Sequence, residues 1–395
     1  MFEINKNVVF VQGLKNGAIY DFNSGDIFSI NKESCNVLNK IIKTRVLTKG
    51  ELEYAQMLKD TNLLGEAIKK YYPIEPNREL DLCWLEITQL CNCKCVHCYE
   101  GNTHFSSKQL LTVDDWKSVI DQLCCLGVKR VVVIGGEPCL YNYIETIVEY
   151  VSSKKIDTTI FTNGTCISNN LKEIILKQNI KMKFSLYGHC ENVHDKITNL
   201  PGSFNKLVNN IEYFLKNDID VTVAVVLMKE NERFVNEIIT FLKKIGVKKY
   251  RFDVIREVFG GTQNSHIPTI DNIKELAQRT CANFPKISKE KFDIAYYRNT
   301  CWNGKIVVSE DGNVLPCVFE RNISLGNIKN SSIEEILYGE KTMECWNCTF
   351  DYIDECKDCE FRFACKDCRP LAFASGNKVG KNPRCTYNVA RGEWD

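Results

Sequence analysis

From Val8 to Ile30 the stretch "VVFVQGLKNGAIYDFNSGDIFSI" alternates apolar and polar residues around Lys-Asn-Gly and Asn-Ser-Gly-Asp turns, which predicts a small antiparallel meander. Two stretches of helical spacing follow, Glu33–Lys43 and Lys49–Lys59, and "YYPIEPN", with two prolines, reads as a linker. A first domain is therefore expected over residues 1–77. Beyond it the pattern changes to strand-like runs at Leu82–Thr88, Lys129–Ile134, Thr158–Thr162, Lys181–Leu186, Val221–Leu227 and Tyr250–Ile255. Amphipathic helices lie between them. Trp116, Val119, Ile120 and Leu123 keep helical spacing behind a Thr112 N-cap, as do Ile144, Ile147, Val148 and Val151.

Six strand-helix units in succession predict a parallel sheet of the α/β class, and six units fall short of the eight that close a barrel. The expected core is a partial, TIM-like (β/α)6 barrel over residues 78–295, whose chemistry gathers at the C-terminal ends of its strands. Unusual residues sit at those ends. The first strand runs into "CNCKCVHCYE", the second ends in Gly135-Gly136-Glu137-Pro138, the third in Thr162-Asn163-Gly164 and the fourth in Ser185-Leu186-Tyr187-Gly188.

Charge names no partner. Lys plus Arg is 51 against 50 Asp plus Glu, a net +1, so nothing points to nucleic acid or an anionic membrane surface. The N-terminus lacks the basic start of a signal peptide and no apolar run approaches the roughly 18 residues that span a bilayer, so a cytoplasmic protein is expected.

Cysteine changes the picture most. The 21 cysteines are an odd number in a chain without a secretion signal, which favours metal binding over disulfides. Isolated ones such as Cys35, Cys83, Cys166 and Cys190 read as small buried apolar side chains. Cys91, Cys93, Cys95 and Cys98 offer several different three- or four-thiolate sites, and nine more cysteines follow residue 300. Three thiolates on one loop leave one iron of a [4Fe-4S] cube free for an external ligand, or make an unusual all-thiolate zinc site.

The run Cys91-x3-Cys95-x2-Cys98 followed by Tyr99 resembles the cluster motif of the radical S-adenosylmethionine enzymes, with Cys93 standing where those proteins carry an apolar residue. By that resemblance Cys91, Cys95 and Cys98 hold a [4Fe-4S] cluster and Cys93 does not. Gly135-Gly136-Glu137-Pro138 resembles the same family's GGEP motif, whose glycines let the backbone approach a ligand and whose Glu137 carboxylate is expected on the ammonium of S-adenosylmethionine. Asn163 and Ser185 stand where the family contacts the cofactor's ribose and carboxylate. Each also has an ordinary reading, as a turn residue and a satisfied hydroxyl. His194, Asp195 and Lys196 read as capping and surface residues.

The later cysteines resemble the family's SPASM extension over residues 296–395, which implies two auxiliary clusters beside the first. Cys356, Cys359, Cys365 and Cys385 match the outer set, and Cys301, Cys317 and Cys368 the inner, whose fourth position is either Cys345 or Cys348 or open to substrate sulfur. The spacing Cys365-x2-Cys368 is one residue shorter than the usual pattern. The N-terminal stretch "GAIYDFNSGDIFSIN" resembles the small winged-helix, PqqD-like peptide-binding domain of peptide-modifying members.

What these resemblances imply is hydrogen abstraction by a 5'-deoxyadenosyl radical from a ribosomally made precursor peptide with a leader, installing an intramolecular crosslink such as a cysteine thioether. A ferredoxin- or flavodoxin-type protein is the implied electron donor. The alternatives are a sulfatase-maturase-like side-chain oxidase, a small-molecule enzyme of the same superfamily, and a zinc-stabilised binding protein without catalysis.

Overall fold

The computed structural model describes residues 2–65, 71–99, 110–258, 264–269 and 284–394. By its contacts the chain falls into two units. One gathers Met1–Asn77, Lys274–Asn303 and Trp346–Asp395, and the other Arg78–Ile273 and Gly304–Cys345.

In the first unit the predicted meander is the three-stranded antiparallel sheet β2 (Val8–Gln12), β3 (Gly17–Asp21) and β4 (Ile27–Ile30), while β1 (Glu3–Ile4) pairs with β5 (Leu64–Gly65). The alternation puts two sets of apolar residues on opposite faces of this sheet. Val8 and Ile19 pack against Val37, Leu38 and Ile41 of helix Lys32–Ile42 and Ala55 and Leu58 of helix Lys49–Asp60. Val11, Ala18, Tyr20 and Ile27 pack instead against Phe292, Phe361, Phe363 and Tyr387, which belong to the chain's later segments.

This arrangement differs from an expectation of separate N-terminal and C-terminal domains. A sheet with apolar side chains on both faces needs two coverings, and a short N-terminal segment supplies only one. Tyr20 marks the joint: wholly buried, its hydroxyl donates to the carbonyl of Glu360 at 2.8 Å, and its ring meets Phe292 edge-on at 5.3 Å. Tyr20→Phe leaves that buried carbonyl without its donor and should cost about 1–3 kcal/mol, read as a lower urea midpoint.

The second unit is built on one sheet of nine strands. Strands β6 (Leu82–Glu86), β7 (Arg130–Ile134), β8 (Asp157–Thr162), β9 (Lys181–Leu186), β10 (Val221–Leu227) and β11 (Lys249–Val254) lie side by side in chain order and all parallel. These are the six strands expected from the pattern. A seventh parallel strand, β12 (Lys305–Ser309), pairs with β6 on the far edge, and the short antiparallel β13 (Asn313–Leu315) and β14 (Gly326–Asn327) extend it.

The helices form for the reasons their ends give. Thr112 accepts from the Asp115 amide while the Asp115 carboxylate accepts from the Thr112 amide at 2.8 Å, a reciprocal cap that starts helix Val113–Cys125. Trp116, Val119, Ile120 and Leu123 then make its fully buried stripe. Within each strand alternate residues face the helices: on β9, Met182, Phe184 and Leu186 are almost wholly buried, so Lys181, Lys183 and Ser185 face the other way. The first unit is completed by helix Lys289–Tyr297 and by the pair β15 (Tyr387–Asn388) and β16 (Glu393–Trp394).

Candidate active site

The C-terminal ends of β6, β7, β8 and β9 build the site. After β6 the chain is held against the end of β7 by three backbone bonds: Ile87 to the Ile134 carbonyl at 3.0 Å, Gly136 to Thr88 at 2.8 Å and Glu137 to Leu90 at 2.7 Å. The glycine pair is what lets them form. A Cβ on Gly135 would stand 2.3 Å from the Thr88 carbonyl oxygen, and one on Gly136 would stand 2.4 Å from that of Gln89. The expected close approach of a glycine backbone is present, then, toward the segment that leads into Cys91. Gly136→Ala should push that segment away and cost about 1–3 kcal/mol, with a matching loss of iron at the cysteine loop on reconstitution.

Glu137 is wholly buried and ties three elements together. One oxygen accepts from the Thr162 hydroxyl at 2.6 Å and the Cys139 amide at 3.0 Å, the other from the Asn163 amide at 2.7 Å. Burial pushes its acid constant up, and those hydrogen bonds oppose the rise. The carboxylate is thus engaged by the protein's own donors and fixes the end of β8 to the end of β7. Pro138, also buried, opens a 3-10 turn that Glu137 caps.

The cysteine loop is pinned from two sides. Asn163 donates to Asn92 at 2.9 Å and to the Cys93 sulfur at 3.4 Å, and Asn92 donates to the Thr165 hydroxyl at 2.8 Å. On the other side Lys94 and Val96 donate to the carbonyls of Thr198 and Ile197, and Asn199 donates to the Lys94 carbonyl at 2.8 Å. Cys93 is only 4% exposed, whereas Cys91, Cys95 and Cys98 are half-buried, so the loop turns one thiol inward and keeps three within reach of a ligand. Asn163 serves here as a turn residue that positions the loop. Ser185 faces away from the helices, and its hydroxyl opposes the rise that burial gives the Tyr187 phenol.

From the sequence Tyr187 and His97 have no assigned role, and His194 reads as a capping or surface residue. Buried Tyr187 lies beside the thiols of Cys95, Cys93 and Cys98, and burial raises its phenol well above its usual range. His97 meets its ring edge-on at 4.6 Å, and His194 stacks on it at 5.4 Å. Burial depresses both imidazoles to about 4, so they stay neutral near pH 7. His194 is 1% exposed and accepts from the Tyr187 amide at 3.1 Å, which makes it a core residue rather than a surface one. Asp195 caps the next helix, accepting from the Gly202 and Phe204 amides and the Ser203 hydroxyl. The only available signal for Tyr187 was its place just past a strand end.

In the first unit, the thiols of Cys356, Cys359, Cys365 and Cys385 are electrostatic neighbours. Burial raises Cys356 and Cys359 first; Cys365 and Cys385 then push Cys356 further, and Cys365 and Cys356 do the same to Cys359. A half-buried group of neighbouring thiols that would repel one another once ionised suits iron, which takes thiolates and spreads their charge. Among the described residues no three or more His, Cys, Asp or Glu side chains close around a single ion. Cys301, Cys348 and Cys368 also belong to this unit, and Cys317 and Cys345 to the other. Cys345 is buried at 6% exposure; Cys348 is half-buried. Cys35 and Cys83 are fully buried as expected, whereas Cys166 and Cys190 are half-exposed.

Comparison with known proteins decides the family. Residues 85–242 match the radical SAM superfamily, and residues 301–360 match the SPASM iron-sulfur cluster-binding domain. The chain is a radical SAM enzyme with a SPASM domain. That assignment sets aside the alternative of a zinc-stabilised protein without catalysis. The antilisterial bacteriocin subtilosin biosynthesis protein AlbA of Bacillus subtilis is 27% identical over 319 residues, covering 76% of this chain and 70% of AlbA. The AdoMet-dependent heme synthase of Methanosarcina barkeri is 24% identical over 336 residues, covering 78% of this chain and 96% of the synthase. Among solved structures, Streptococcus suis SuiB bound to its precursor peptide SuiA shares the fold, with a TM-score of 0.65, 15% identity and coverage of 98% of this radical SAM chain and 100% of that one. Among the described residues no helix is long and apolar enough to cross a membrane.

Proposed function

We propose that this radical SAM enzyme matures a ribosomally made precursor peptide, taking a hydrogen atom from it and installing an intramolecular crosslink, a cysteine thioether. Support comes from relatives named for subtilosin biosynthesis and sporulation killing factor maturation and from the solved neighbour titled as bound to its precursor peptide. One observation of this chain carries the peptide reading. The outer edge of β4 pairs with no strand among the described residues and bears the exposed Phe28, so residues 1–77 offer an edge on which a leader could add a strand, as the PqqD-like reading expects.

In this reading Cys91, Cys95 and Cys98 hold the first [4Fe-4S] cluster, and Cys356, Cys359, Cys365 and Cys385 hold an auxiliary one. Bound at the first cluster, S-adenosylmethionine supplies the carbon radical that takes the hydrogen atom. The chain's own part is to hold the segment Gly135–Pro138, Asn163 and Ser185 in register beside the cysteine loop and to shield the site from water with Tyr187 and His97. A ferredoxin- or flavodoxin-type partner delivers the electron.

The heme synthase relatives favour a second reading, a small-molecule substrate. Anaerobic incubation of the reconstituted enzyme with cysteine-containing peptides encoded beside its gene separates the two. Loss of two hydrogens per bond, localised by fragmentation mass spectrometry, supports the maturase. Peptides of unchanged mass, with 5'-deoxyadenosine formed on a small molecule instead, overturn it.

A further inference from the structure

The face of the second unit's sheet turned away from the helices carries an unmatched charge. At the strand starts each cation has a carboxylate: Lys129 with Glu79, Arg130 with Asp81, Lys181 with Asp157 and Lys249 with Asp220. Lys183 breaks this rule one layer further in. Half-buried, it makes no hydrogen bond or ion pair among the described residues, and its ammonium lies over the Phe161 ring at 4.4 Å from the centroid. Its neighbours across the ladder are Phe161 on β8 and Thr222 on β10, and the next layer on this face is Ser185, Ala224 and Arg251.

The surrounding charge sharpens the imbalance. Arg251 and Arg256 share one carboxylate, that of Asp253, at 3.0 Å and 3.8 Å, while Arg321 is bonded through both terminal nitrogens to buried Glu86. The charges that act on Lys183 are Arg251 and Asp253, and that single carboxylate is already shared by two arginines. Taking an ammonium out of water without an anion is costly, so a fold that keeps one there has a use for an incoming negative group. Burial lowers the acid constant of Lys183 to about 8, with Arg251 adding to the fall and Asp253 opposing it, so an arriving anion would restore its full charge.

We propose that Lys183 anchors a carboxylate subsite on the inner face of the barrel, which receives an acidic side chain of the substrate peptide. This rests on the peptide-maturase reading for its substrate, and on the geometry alone for its chemistry. The carboxylate of S-adenosylmethionine is the less suitable occupant. Cys95 packs beside Tyr187, which follows the end of β9 four residues beyond Lys183, about 13 Å along the backbone at strand rise, and a cofactor bound at the cysteine loop would sit toward that end.

Reductive methylation of the anaerobic, reconstituted full-length enzyme tests this without turnover, so it can fail while the maturase reading stands. Methylation of each lysine is followed by peptide mass spectrometry, with glutarate as the carboxylate probe. Saturating glutarate should slow methylation of Lys183 roughly tenfold and leave Lys181 and Lys229 unaffected, while glutaramide should do nothing. Equal protection by inorganic phosphate would reduce the effect to general anion screening and overturn the subsite. Protection by S-adenosylmethionine alone, as strong as that by glutarate, would give the position to the cofactor and overturn it as well. So would no protection at any glutarate concentration.

Discussion

Cys95→Ala should form no 5'-deoxyadenosine with S-adenosylmethionine and a reductant, whereas Cys93→Ala should keep most of it. Both remove one sulfur from the loop that follows β6, two residues apart, yet their settings differ. Cys95 is half-buried beside Tyr187, Ile197, Met228 and Ile255, on the side of the loop that stays within reach of a ligand. Cys93 is 4% exposed and accepts a hydrogen bond from Asn163. A methyl group cannot replace a thiolate ligand, so losing Cys95 removes a bond to iron. Losing Cys93 removes packing and one weak hydrogen bond, about 1–2 kcal/mol of stability. Chromatography of the nucleoside product and the iron content of both variants decide it, and equal loss in the two would mean that Cys93 is a ligand after all.

Arg369→Ala should be the most destabilising change outside the cysteines, by about 3–5 kcal/mol. Arg369 is wholly buried in the first unit, paired with Asp367, itself only 2% exposed, and it also donates to the carbonyls of Lys378 and Gly380. Removing it leaves a carboxylate in the interior with its cation gone and two carbonyls short of a donor. Asp367 and Arg369 flank Cys368, and Lys378 and Gly380 lie between it and Cys385, so iron bound by the outer cysteines should fall with stability. Lys117→Ala is the control: its ion pair with Asp114 is exposed and is worth less than about 1 kcal/mol. Urea unfolding of both variants should separate them clearly, and equal midpoints would show that the buried pair contributes nothing net.

The cysteine motif and the strands that carry it were legible in the sequence because both are local. Alternating apolar residues with intervening amphipathic helices mark β6 to β11 to within two residues at their ends, and the reciprocal cap at Thr112 was readable from Thr112 itself. The role of Gly135 and Gly136 was legible only in part. Two adjacent glycines announce a close approach, but what approaches depends on which carbonyl the fold places there, and here Thr88 and Gln89 fill the space. Asn163 was similarly ambiguous, and its bonds to Asn92 and Cys93 settle its local role.

By itself the sequence determined the parallel αβ core, the position of the cysteine loop and the family, since each rests on periodicity or spacing along a few tens of residues. Only the tertiary structure decided which loop cysteine turns inward, that "KIVVS" adds a strand beside β6, and that residues 1–77 share a core with Phe361, Phe363 and Tyr387. The physical reason is the same in each case. A strand's apolar face states that it must be covered, and a thiol's spacing states that it could bind, but burial and pairing are properties of what arrives from elsewhere in the chain.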